Sequence, residues 1–80
     1  MNELGIAYRK QDKFKEAAAA FRKAVDTDGK YAVGYYNLAE SEFRAGNLGE
    51  AQKAYNKVKD LGRRDLMLQL QVISTGKLKG

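Results

Sequence analysis

Residues 34–55 read GYYNLAESEFRAGNLGEAQKAY. Apolar and small residues fill both halves, with Gly46-Asn47 between them. The stretch is either one helix with an incidental interruption or two helices that fold back on each other. The first half belongs to a helical pattern running from Ala32 to about Arg44, which Gly46 and Asn47 stop. Asn47 with Glu50 three residues on has the form of an N-cap with its capping-box partner. Leu48, Ala51, Gln52, Tyr55 and Val58 then restart a helical spacing that Leu61-Gly62 closes. This is a hairpin.

The hairpin has a counterpart upstream. In residues 14–25, FKEAAAAFRKAV, the positions Phe14, Ala17, Ala18, Phe21, Ala24 and Val25 recur at steps of three and four and so share one helix face. Lys15, Glu16, Arg22 and Lys23 fall on the other side. The alanine run keeps the apolar face thin, so that a second helix can approach. The DTDGK turn follows, where Gly29 is expected to supply the positive φ that ends a helix. Sliding the chain on itself by 34 residues pairs Leu4 with Leu38, Glu16 with Glu50, Ala17 with Ala51, Ala20 with Ala54, Lys23 with Lys57 and Asp26 with Asp60. The same shift sets Phe14 on Leu48, Gly5 on Ala39, Phe21 on Tyr55 and Ala24 on Val58. A fixed period of this kind marks a repeat architecture. Helix axes about 8–10 Å apart need small side chains at the contact and large ones beside it. Gly5, Ala39, Ala17, Ala20, Ala51 and Ala54 suit the first role, Phe21 and Tyr55 the second.

A leucine followed by a small residue, then Tyr, Ala, Phe and Ala at these intervals, resembles the tetratricopeptide repeat. Leu4, Gly5, Tyr8, Ala17, Phe21 and Ala24 match its motif in one unit, and Tyr35, Leu38, Ala39, Ala51 and Tyr55 in the next. The departures are Gly29 and Arg63 where the motif has proline, Glu42 (with Phe43 beside it) where it has tyrosine, and Met1 where it has tryptophan. At Glu42 the packing is expected to be rotated or partly wet. The resemblance implies an all-α fold of about five helices, stacked as a short right-handed superhelix. Its repeats are placed at 1–30 and 31–64. Residues 65–80 follow as a capping helix, with Asp65 as N-cap and Leu66, Met67, Leu70 and Ile73 inward, and a loose basic tail, KLKG. Leu68, Leu70 and Val72 alternate with glutamines, so a strand is the rival reading for that segment.

Composition bounds the function. Among 80 residues there is no histidine and no cysteine, so neither thiolate metal sites nor imidazole chemistry is available. Ser41 and Ser74 have no evident base, no phosphate-binding glycine loop appears, and the acids lack metal-loop spacing; an enzyme is not expected, nor is a cofactor. No apolar run approaches the roughly 20 residues needed to span a bilayer. The first residues lack the apolar core of a secretory signal, and a soluble chain is expected. Fifteen basic residues against ten acidic ones give a net charge of +5. They are interleaved with acids, which argues against nucleic acid as the main partner and mildly favours acidic proteins.

What remains is a surface. The resemblance implies that the first helices of successive units line a concave groove that binds a peptide or partner protein. Val33, Tyr36, Asn37, Glu40 and Arg44 occupy that face in the second unit, and Asn2, Glu3, Ile6, Arg9 and Lys10 in the first. Tyr36 would give an apolar plate, Asn37 backbone hydrogen bonds, and Arg9, Lys10 and Arg44 charge for a carboxylate. The five-residue clamp with which some of these repeats hold chaperone C-termini is matched only at Asn37. Asn2, Ile6, Met67 and Gln71 hold its other places. A self-assembling piece, or a part of a longer repeat array, is the alternative, and a nucleic-acid contact through Arg9-Lys10, Arg63-Arg64 and Lys77-Lys79 the weaker third.

Overall fold

The computed structural model describes residues 2–79, with the side chain of Asn2 outside the description. Met1, at the motif's tryptophan position, and Gly80 of the tail also lie outside the described residues. Five helices follow one another: α1 (Asn2–Lys10), α2 (Phe14–Thr27), α3 (Ala32–Arg44), α4 (Leu48–Asp60) and α5 (Arg64–Ile73). The segment from Leu68 to Val72 is helical, which removes the strand reading. α1 packs on α2, α3 lies between α2 and α4, and α5 touches both α3 and α4. The chain is an all-helical repeat fold of the tetratricopeptide kind.

Three of the four connections are one device. At the ends of α1, α3 and α4 a residue with positive φ (Asp12 at 60°, Gly46 at 90°, Gly62 at 77°) turns the chain back. The next N–H bonds the carbonyl five residues earlier: Lys13 to Tyr8 at 2.9 Å, Asn47 to Glu42 at 2.8 Å, Arg63 to Val58 at 3.3 Å. This is the Schellman ending, which satisfies the last carbonyls of a helix and favours glycine at the left-handed position. The turn into α5 is therefore built like the turns inside the two hairpins.

The α2–α3 connection differs, and corrects the reading of Gly29. Asp28 leaves α2 in extended geometry (φ −132°, ψ 94°), and Gly29 is not among the glycines with positive φ. Asp28 Oδ1 accepts from Lys30 N–H at 3.1 Å, a local side-chain bond that offers the backbone an alternative to another helical turn.

The expected caps are likewise replaced. Asn47 precedes α4 but makes no side-chain cap; its Nδ2 donates to Glu42 Oε1 at 3.2 Å. Arg63, not Asp65, precedes α5. Asp65 lies in the first turn, where a negative charge suits the helix dipole, and takes both Arg63 Nε (3.1 Å) and Nη2 (3.0 Å).

The core follows the small-and-large pattern. Ala17, Ala39, Ala51, Phe21, Tyr55 and Val58 are fully buried. Gly5 sits so close to Phe21 that a Cβ there would lie 2.6 Å from Cε1. Glu42 is 3% exposed, ion-paired with Arg22 across the α2–α3 boundary and hydrogen-bonded by Asn47. Leu66 and Leu70 point inward, with Met67 partly buried against the same cluster; Gln71 Nε2 donates to Tyr55 OH at 2.6 Å.

The described part of the tail, up to Lys79, docks on α4 and α5. Leu78 is 1% exposed and part of the core. Its N–H donates to Ser74 Oγ at 3.2 Å. Lys79 N–H donates to Gln52 Oε1 at 3.1 Å, and Gln52 Nε2 donates back to the Lys79 carbonyl at 2.6 Å. One buried leucine outweighs the basic composition around it, because burying a leucine side chain yields about 1.5–3 kcal/mol.

Candidate protein-binding face on α1 and α3

Arg9 stands in the last turn of α1, where a cation is favoured by the helix dipole. From there it reaches across to α3: Nη1 donates to Glu40 Oε1 at 2.9 Å and to Asn37 Oδ1 at 3.3 Å. On the other side Arg44 Nε donates to Glu40 Oε2 at 3.2 Å, one helical turn away. The Arg44 guanidinium lies 5.6 Å from the Phe14 ring centroid, within cation–π distance. The Glu40 carboxylate is thus held at both oxygens and only 12% exposed, between arginines that are 31% and 46% exposed. Two positive charges share one negative charge. At such exposure the pairing adds little stability; it orients the groups.

Tyr36 is half-buried against the core beside this network. Burial, and second the Glu40 carboxylate, push its phenol above the ordinary value, with Arg9 and Arg44 opposing. Val33 and Lys10 are exposed, and Ile6 is partly buried against the core.

Of the ten expected face residues, Arg9, Asn37, Glu40 and Arg44 form one hydrogen-bonded group, with Tyr36 beside it. Asn37 needs a correction. It is 6% exposed, with Oδ1 already taken by Arg9, so it is not an outward amide. Gly34, Asn37 and Ser41, three and four residues apart, form one buried stripe of α3.

Other features were not anticipated. The Arg22–Glu42–Asn47 cluster lines a cleft of about 370 Å³ with Lys15, Ala18, Ala19 and Glu50. Leu4, Tyr8, Glu16, Ala19, Ala20 and Lys23 line another of about 350 Å³ between α1 and α2. Along α5, Leu68 and Val72 are 56% and 77% exposed. The substitution of glutamate for the motif's aromatic was the signal for the first. The lone leucine in KLKG was the signal for the Leu78 contact. Among the described residues, no helix is long and apolar enough to cross a membrane.

A stack of helix pairs with small residues at the crossings is the architecture of a helical repeat. The family model described as tetratricopeptide repeat matches residues 8–71, well over half the chain. The chain belongs to the tetratricopeptide repeat family, whose repeats generally mediate protein–protein interaction and are typically non-catalytic. It is similar to the uncharacterized protein ycf37 of Porphyra purpurea, at 34% identity over 62 residues that cover 78% of this chain. The chain spans 36% of that relative's length. No solved structure matches it.

Proposed function

We propose that the chain is a protein-interaction module that binds a peptide or partner protein in a concave groove formed by α1 and α3. The observation that carries this reading is the Arg9–Glu40–Arg44 network, which joins the two helices on one face and holds two partly exposed guanidinium groups in fixed places. Each guanidinium has further N–H groups, and such forks pair well with carboxylates. Tyr36 beside them offers an amphipathic plate of the kind enriched at binding hot spots. The partner chemistry that fits is an acidic segment with an apolar residue next to its charge. Ile6, Lys10 and Val33 rim the same face, and Asn37 acts by holding Arg9.

The test is a peptide selected from a random library on the wild-type chain, with its affinity then measured by fluorescence anisotropy. Tyr36→Ala combined with Arg44→Ala should weaken binding at least about tenfold, the equivalent of about 1.4 kcal/mol. An unchanged affinity would place the binding surface elsewhere. Exposed Leu68 and Val72 favour a second reading, self-association or stacking on neighbouring repeats. A solution mass that rises with concentration, and falls back when Leu68 and Val72 are both changed to lysine, would support it.

A further inference from the structure

Apart from the α1/α3 face, the α4–α5 end carries a small site whose occupant is already visible. The tail leaves α5 through two residues of positive φ, Thr75 at 52° and Gly76 at 82°, and lays Leu78 back into the core. Three contacts hold it. Each is of a kind that a peptide with a leucine at a bend could make. The leucine fills an apolar socket and is 1% exposed. Its N–H meets the hydroxyl of fully buried Ser74. The next residue presents N–H and C=O to one side-chain amide, Gln52, which accepts the first at 3.1 Å and donates to the second at 2.6 Å. Gln52 is held in place by a further bond from Nε2 to Asn56 Oδ1 at 2.9 Å, one turn along α4. No side chain of Lys77 or Lys79 enters these bonds. The recognition is of a backbone plus one apolar anchor.

We propose that the Gln52 amide and the Leu78 socket form a peptide-docking site for a leucine-bearing segment of a partner protein, with the chain's own residues 77–79 as a strap that occupies it in cis. A short tether gives the strap an effective concentration in the millimolar range, so it competes with any segment arriving in trans. The site therefore opens to a partner that supplies the same leucine-centred pattern and further contacts beyond it.

The probe is a fluorescently labelled synthetic peptide, STGKLKG, identical to residues 74–80. Leu78→Ala in the full chain removes the anchor while leaving Gln52 and Ser74. This variant should bind the peptide at least about tenfold more tightly than wild type, the factor expected when a tethered competitor is released. The peptide with alanine at the leucine position should not bind, and Gln52→Ala added to Leu78→Ala should abolish the gain. A folded Leu78→Ala variant that binds no better than wild type overturns the proposal and makes the tail a fixed part of the fold. Should Leu78→Ala fail to fold, the wild-type chain answers the question by itself. Unlabelled peptide added to millimolar concentration should move the Leu78 and Lys79 amide NMR signals toward random-coil positions. Signals that stay in place overturn the proposal.

Discussion

Glu42 stands where the repeat motif has an aromatic ring. An isolated buried carboxylate is costly, and the chain answers with a guanidinium from α2 and an amide from the α3–α4 turn. Removing one partner of such a group costs more than the pair contributes, because the desolvation penalty of the remaining charge stands uncompensated. Arg22→Ala should therefore destabilise by about 1–3 kcal/mol. Lys53→Ala, which breaks only the exposed pair with Glu50, should change stability by less than about 0.5 kcal/mol. Urea midpoints of the two variants compared with wild type measure the difference, and equal shifts would mean that Arg22 is dispensable to Glu42. The sequence exposed the position as a departure from the motif. It did not expose the remedy, since Arg22 and Glu42 are 20 residues apart and meet only after α2 and α3 pack. The same limit applies to Arg9 and Glu40. Their placement on one face was legible from the 34-residue shift, but the bonds joining them, and the burial of Asn37, depend on the distance between α1 and α3.

At the scale of elements, helix positions were legible because their spacing is a local property. Small residues at the crossings were legible because close approach of two helices demands them, as Phe21 against Gly5 illustrates. Helix ends were less so. Asn47 and Asp65 have the composition of caps, yet the Schellman turns before them fix the backbone without help from a side chain, which frees Asn47 for Glu42 and Asp65 for Arg63. The second substitution has a pH signature. The bond from the Arg63 guanidinium, above all, holds the Asp65 carboxyl below its ordinary value. The unfolded carboxyl then binds protons first as pH falls. The stabilisation is complete above the unfolded pKa, about 3.9, and is lost as pH drops through the folded one. Asp65→Asn should thus be less stable than wild type near neutrality, with the gap closing in acid and shrinking in high salt, because the pair is solvent-exposed. Thermal melts at neutral and acid pH, with and without salt, measure it. A gap that persists in acid would assign Asp65 a role other than its charge.

For the whole molecule, the decisive contact was the one least visible in the sequence. Leu78 lies in a stretch whose lysines and glycine read as a solvated end, yet it joins the same buried cluster as Ala17, Phe21, Leu38, Tyr55 and Leu70. The cluster passes from α2 through α3 and α4 to α5 without a gap, so no helix beyond α1 keeps a separate apolar core. Long repeat arrays unfold as a sum of neighbouring units. A chain with one shared cluster should instead unfold in one step, as small single domains generally do. Tyr55, at 0% exposure, and the backbone helices then report the same transition. Denaturation followed by helical circular dichroism and by the ring NMR signals of Tyr55, which separate it from the other four tyrosines, should give superimposable curves. If α5 and the tail formed a separate layer, its helices would melt ahead of the Tyr55 signal and Gln71 would leave the Tyr55 hydroxyl first, splitting the curves. Superposition places the cooperative boundary outside α5, with Leu78 inside the same unit as Tyr55.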